Sequence, residues 1–163
     1  MQQNAPLPIR EIDHLEFWVG NARQAAAYYR HLFGFDQVAY RGPETGTRGK
    51  SSYLLRQGQV RFVLTTTLEP DDEIARHVAR HGDGVRDIAL AVDDARACFE
   101  EAVRRGATPV LEPRSEAGSH GVIRRAAVAT WGDTIHSFIQ RESCAAPWLP
   151  DFEDAPVPGG GAG

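Results

Sequence analysis

The strongest constraint on this chain is an internal repeat. Residues 12–35 read IDHLEFWVGNARQAAAYYRHLFGF and residues 85–110 read VRDIALAVDDARACFEEAVRRGATPV. Placing His14 over Asp87 lays Val19 on Val92, Ala22 on Ala95 and Arg23 on Arg96, and a one-residue slip brings Gly34 onto Gly106. Each copy is an alternating strand, a polar turn, an amphipathic helix, a glycine and a new strand. Two copies are too few to stack as a solenoid, so a duplicated βα module has to bury its apolar faces against itself.

In the first copy Leu15, Phe17 and Val19 fall on one side of a strand, and Ile12, His14, Glu16 and Trp18 on the other. Asn21 is suited to cap the helix that follows, with Gln24 completing a capping-box pattern. Ala22, Ala25, Ala26, Tyr29, Leu32 and Phe33 keep helical spacing, and Gly34 closes the helix. A strand over 35–40, a glycine-rich loop over 41–50, and a hairpin of 51–55 and 59–66 about Gln57-Gly58 complete the module. The second copy predicts a strand over 85–92, then a helix capped by Asp93 or Asp94 that buries Ala95, Cys98, Phe99, Ala102 and Val103 and ends at Gly106. Strands over 107–111, 122–130 and 134–141 follow, the last two joined by Trp131-Gly132-Asp133. The expected fold is α+β: paired βαβββ modules, with helices on one side of a curved, mostly antiparallel sheet whose other face closes into a cup. Module 1 spans about 9–68 and module 2 spans 84–141 of a single 9–141 domain, with a connecting helix at about 70–82. Residues 1–8 read as a flexible arm. Residues 142–163 lack periodicity and read as a tail or linker ending in DAPVPGGGAG.

Composition narrows the function classes. With 163 residues the chain can bury roughly 70% of its unfolded surface. A net charge of -4 offers no basic footprint for nucleic acid or an anionic membrane. No apolar run approaches the ~20 residues of a membrane span, and the first ten residues lack a signal-peptide core. Cys98 reads as a small buried hydrophobe and Cys144 as a free thiol in the tail, which suits a reducing, cytoplasmic setting.

The chemistry-bearing candidates lie on the cup side of the strands. With Ile135 and Ile139 taken as facing the helices, His14, Phe62, Asp87 and His136 occupy four related corners. His14, Asp87 and His136 then form a candidate metal set, since two imidazoles and a carboxylate suit a non-heme divalent ion. The competing reading is a group of hydrogen-bonded polar residues between layers, because a one-residue slip exchanges the faces of a strand. His77 and His81, four apart on the connecting helix, have the spacing to chelate a metal, but read first as a solvated face with partly buried rings. Phosphate-loop, nucleophile-elbow and CxxC motifs are lacking.

The paired modules resemble the vicinal oxygen chelate superfamily, with its glyoxalase fold. The segments FWVGNARQAAAYYRHLFGF, HVARHGDGVRDIALAV, RGATPVLEP, ATWGDTIHSFIQR and PWLPDFE are similar to the N-terminal half of the 4-hydroxyphenylpyruvate dioxygenase family, whose relative hydroxymandelate synthase shares that half. The resemblance covers about 9–153. It implies Fe(II)-dependent 2-oxo acid dioxygenation in tyrosine catabolism, with the iron and most substrate contacts in a second, C-terminal domain. No catalytic or cofactor-binding residue carries over to this chain: Asp87 stands where the catalytic repeat has a His, and His136 where it has a Glu. Three readings stay open: an N-terminal-type domain inactive alone that works with a catalytic domain in trans, a self-sufficient metalloenzyme using His14, Asp87 and His136, and a metal-free binder of a small aromatic ligand. The first also predicts self-association into a homo-oligomer through the face a catalytic domain would cover.

Overall fold

The computed structural model describes residues 5–154. Along the chain run β1 (Ile9–Trp18), α1 (Ala22–Phe33), β2 (Asp36–Arg41), β3 (Lys50–Gln57), β4 (Val60–Thr67), α2 (Glu73–His81), β5 (Gly84–Val92), α3 (Ala95–Arg104), β6 (Pro109–Gly118), β7 (Gly121–Ala129) and β8 (Ile135–Arg141). The repeat helices begin where side chains satisfy their free N–H groups. Asn21 accepts from Gln24 N at 3.0 Å, and Asp94 accepts from Ala97 N at 2.9 Å. Gly34 ends α1 in the left-handed region, φ 75°, which costs a residue without Cβ nothing.

The eight strands form one sheet in the order β2-β3-β4-β1-β5-β8-β7-β6. β1 and β5 pair antiparallel at its centre, and each has its own module's last strand as a parallel neighbour. The order is therefore symmetric about the β1–β5 seam, as the sequence repeat requires. This is the expected fold of paired βαβββ modules on a curled sheet.

Three apolar layers hold it. On the outer face α1 lays Ala22 and Ala26 on Tyr53, Leu55 and Leu64. Likewise α3 lays Ala95, Cys98, Phe99 and Ala102 on Ala126, Val128 and Phe138. The inner face offers Ala39, Leu54, Val63, Ala89, Ile123 and Ile139, and these meet Cys144, Leu149 and Phe152 from the residues after β8. The segment expected as an aperiodic tail thus folds back and fills one end of the cup. Cys144 is a free thiol there, but a buried one. Burying a side chain such as Leu149 or Phe152 stabilises the fold by about 1.5–3 kcal/mol. Of the expected arm, residues 1–4 lie outside the described residues, as does the glycine-rich end, 155–163.

β6 runs to Gly118, well past the strand expected over 107–111. It is an edge strand that, among the described residues, pairs with β7 alone, with register shifts near Leu111. Most of its side chains are exposed, so its sequence carries no apolar alternation to read.

The β6–β7 hairpin touches the returning tail through its glycines. A Cβ on Gly118 would stand 1.5 Å from the Pro150 carbonyl oxygen, and one on Gly121 would stand 2.6 Å from that of Ser143. Gly118→Ala is therefore expected to unseat the tail. The Phe152 and Glu153 amides, which donate to Leu149 O and Tyr40 O, should lose hydrogen-exchange protection while those of α1 keep theirs; unchanged protection in the tail would contradict the packing. Phe152→Ala should cost ~3–5 kcal/mol in urea denaturation, as for other buried aromatic truncations.

Candidate functional site

The inward polar residues start from an irregularity in β1. Ile12 pairs with Leu90 and His14 with Ala89, so Asp13 is an extra residue in the ladder. Such a bulge breaks strict alternation. Ile12 turns out to solvent, and Asp13 and His14 are both buried. Asp13 accepts two bonds from Arg141 of β8, Nε to Oδ2 and Nη2 to Oδ1, each 2.8 Å. The His14 Nδ1 lies 2.8 Å from Asp13 Oδ1. Arg61 of β4 donates to the Asp13 carbonyl at 2.8 Å. The remaining donor of Arg141, Nη1, reaches the tail carbonyls of Trp148 at 2.7 Å and Cys144 at 3.2 Å. One guanidinium therefore ties the first strand, the last strand and the tail together.

A second chain of contacts crosses the other end of the cup. Thr65 donates to Glu16 Oε1 at 2.8 Å, Thr65 and Ser52 hydroxyls lie 2.8 Å apart, and Arg41 donates to Ser52 Oγ at 2.9 Å and to Asp151 of the tail. Asp87 of β5 is held by Ser137, whose N–H donates to Oδ1 at 2.9 Å and whose hydroxyl donates to Oδ2 at 2.5 Å.

The structure does not bring the expected metal set together. His14 and Asp87 face the cup. His136 lies on the opposite face of β8: it pairs with Val128, which packs under α3, and Phe138, two residues on, packs there too. The His136 Nδ1 donates to the Ile88 carbonyl at 3.0 Å. The cup-facing residues of β8 are Ser137, Ile139 and Arg141. The expectation that Ile135 and Ile139 face the helices fails because both faces of β8 mix polar and apolar residues, Ile139 with Ser137 and Arg141 on one and Phe138 with His136 and Gln140 on the other, so hydrophobicity does not tell them apart. Phe62, the expected partner corner, likewise faces out, stacks on Phe35 and meets Tyr29 edge-on beneath α1. His14 is engaged by Asp13 and Asp87 by Ser137, and no cluster of three metal-ligating side chains occurs among the described residues. The cup therefore does not fit a two-His, one-carboxylate ion. His77 and His81 on α2 serve packing and pairing: His77 meets the Trp18 ring edge-on, and His81 Nε2 lies 2.8 Å from Asp133 Oδ2.

The carboxylates feel opposed effects. Burial works against the charge on Asp13, yet hydrogen bonds from His14 and Arg141 outweigh it and hold the group well below the ordinary carboxylate range. Burial opposes the charge on Glu16 too, and Arg41, Arg125 and the Thr65 hydroxyl overcome it. At Asp87 burial wins, and its carboxyl is raised despite His14, Ser137 and Arg125. The residues that organise the cup, Asp13, Arg41, Arg125 and Arg141, were not singled out from the sequence. Each sits in a strand that carries other polar residues as well, so charge alone did not mark it.

Comparisons with known proteins agree with this architecture. The model of the Glyoxalase/Bleomycin resistance protein/Dioxygenase superfamily matches residues 11–133. The chain is 41% identical over 149 residues to 4-hydroxyphenylpyruvate dioxygenase of Yarrowia lipolytica, an alignment covering 89% of this chain and 38% of that relative. It is 41% identical over 150 residues to the protein of the same name from Tetrahymena thermophila, covering 89% and 37%. A substituted 4-hydroxymandelate synthase from Streptomyces coelicolor superposes with a TM-score of 0.82 at 34% identity, over 96% of this chain and 45% of that one. Methylmalonyl-CoA epimerase from Mycobacterium tuberculosis shares the fold, with a TM-score of 0.68 at 19% identity over 85% and 93%. The chain spans less than half the length of the dioxygenases and the synthase that it matches.

Three stability measurements follow from the cup. Arg141→Gln leaves Asp13 buried without its ion pair, and is expected to cost ~3–5 kcal/mol in urea denaturation near neutral pH. Because Asp13 and Glu16 are held below their unfolded values, their contribution is complete above the ordinary carboxylate range. It is lost as pH falls through that range toward the folded-state values. Asp87 has the opposite sign. Asp87→Asn should stabilise the fold near neutral pH, and the gain should vanish in acid, where the wild-type carboxyl is already protonated. A gain that persists unchanged below the carboxylate range would contradict the assignment.

Proposed function

Because the chain belongs to the Glyoxalase/Bleomycin resistance protein/Dioxygenase superfamily, we propose that it is an N-terminal-type domain of a 4-hydroxyphenylpyruvate dioxygenase-like enzyme, a scaffold for a catalytic domain whose residues lie outside this chain. The observation that carries this reading is the filled cup. Leu149 and Phe152 occupy its apolar end, Arg141 and Asp13 lock the tail across it, and His136 stands on the far side of the sheet. The share of each relative that the chain spans, 38% and 37%, points the same way.

In this reading the Fe(II) and its 2-oxo acid chemistry belong to the other domain, and this domain contributes shape and rigidity. An exposed apolar strip on α1, formed by Tyr28, Leu32 and Phe33, supports contact with that domain. The same strip supports self-association of the isolated chain, against which a monomer in light scattering at high concentration would count. Among the described residues no helix is long and apolar enough to cross a membrane.

The test is anaerobic incubation with excess Fe(II), desalting and metal analysis, followed by oxygen uptake with 4-hydroxyphenylpyruvate. The chain alone is expected to retain no stoichiometric iron and to consume no oxygen. Stoichiometric iron that is lost in His14→Ala, together with turnover by the chain alone, would overturn the scaffold reading in favour of a self-sufficient metalloenzyme.

A further inference from the structure

Where the tail crosses the mouth of the cup at Pro150 and Asp151, a cleft of about 320 Å³ remains, walled by Arg41 and Lys50 on one side and by Arg114, Glu116 and Arg125 on the other. Its charge is out of balance. Four cations, Arg41, Lys50, Arg114 and Arg125, face two carboxylates, Glu116 and Asp151. Glu16, which acts on Lys50, and Asp87, which acts on Arg125, bring the carboxylates to four, so the cationic lining is neutralised only through the acids of the cup floor. The lining's own excess sits in a chain whose net charge is -4.

The acids are already committed. Asp151 takes Arg41. Glu116 accepts from Arg114 Nε at 3.0 Å and Nη2 at 2.9 Å, and its other oxygen lies 3.5 Å from Arg125 Nε. Glu16 accepts from Thr65 at 2.8 Å. The cations are not equally satisfied. Arg41 is more than nine-tenths buried, and its Nε has no partner; the buried Nε of Arg125 has no hydrogen bond either. Lys50 makes no side-chain hydrogen bond or ion pair among the described residues. Burial, reinforced by Arg41 and Arg125, pushes its amine below the ordinary value against the pull of Glu16 and Asp151. Buried N–H donors without acceptors carry their desolvation uncompensated, and an oxyanion supplies what they lack: negative charge and several acceptor lone pairs in a small volume.

We infer that this cleft binds a small oxyanion, a carboxylate or a phosphate group, between Lys50 and Arg125 with Arg41 behind them. The inference goes beyond the scaffold reading and does not depend on it. The site exists only while the tail is seated, since Pro150 and Asp151 form one of its walls, so the ligand stabilises the closed cup by mass action.

The test is calorimetric titration of the full chain with inorganic phosphate and, separately, with malonate, at constant ionic strength held by sodium chloride, with unfolding temperatures measured in parallel. Saturable binding of at least one probe with a raised unfolding temperature is expected. Binding should be roughly tenfold weaker in Lys50→Gln, the loss expected for one charge-assisted contact, and restored in Lys50→Arg. Lys50 has no partner to orphan, and an unfolding curve verifies that Lys50→Gln is folded. Phosphate binding alone assigns the site to phosphate groups, and malonate binding alone to carboxylates. Binding of neither probe to the wild type overturns the inference, as does equal affinity in the wild type and Lys50→Gln.

Discussion

A carboxylate withdrawn from water has to find its compensation inside the protein, and Asp13 finds it in Arg141. The two-pronged bond between them joins the opening strand of the first module to the closing strand of the second. The third prong of Arg141, on the carbonyls of Trp148 and Cys144, carries that constraint into the tail. The position of Leu149 and Phe152 in the cup follows, and with it the division of the inner face into an apolar, filled end and a polar end near the mouth. Removing one partner would leave the other charged and dry, which is why such a pair fixes an arrangement even where its net contribution to stability is modest.

The two modules have the same topology but different interiors. Outside they remain alike: a capped helix with a small-residue face lies over the same strands in each. Inside, the cup is asymmetric, because the tail arrives from one module only. The second module's strand presents Asp87 clasped by Ser137, while the first presents the bulged Asp13–His14 pair. Duplication thus sets the sheet order, and the single returning segment decides what the shared concavity can hold.

Much of this was legible in the sequence where a periodic or local rule governs the residue. Asn21, Asp94 and Gly34 act as helix ends because end groups must be satisfied nearby in the chain, and the α1 and α3 faces follow helical spacing. The phase of β8 was not legible. Ile139 shares its face with Ser137 and Arg141, and Phe138 shares the opposite one with His136 and Gln140, so neither side reads as the polar face. Asp13 was hidden by its bulge, since alternation assigns it to the face opposite His14. The polar edge strand β6 and the tail have no periodicity at all. What orders the tail is long-range: the carbonyls that Arg141 reaches, and the room left by Gly118 and Gly121.

The tail has another effect at the sheet's rim. β2 is an outermost strand, and a strand there presents free N–H and C=O groups to any passing chain. Tyr40 and Glu153 exchange two backbone hydrogen bonds, at 3.0 and 2.9 Å, so the same segment that fills the cup also blunts this edge. The opposite edge, β6, is guarded instead by its own prolines and charges, Pro109, Pro113, Arg114 and Glu116. Detachment of the tail would therefore do two harmful things at once, baring an apolar hollow and uncovering a template for intermolecular strand addition. Protection of the β2 edge is thus vested in a segment that belongs to no helix or strand of the repeat.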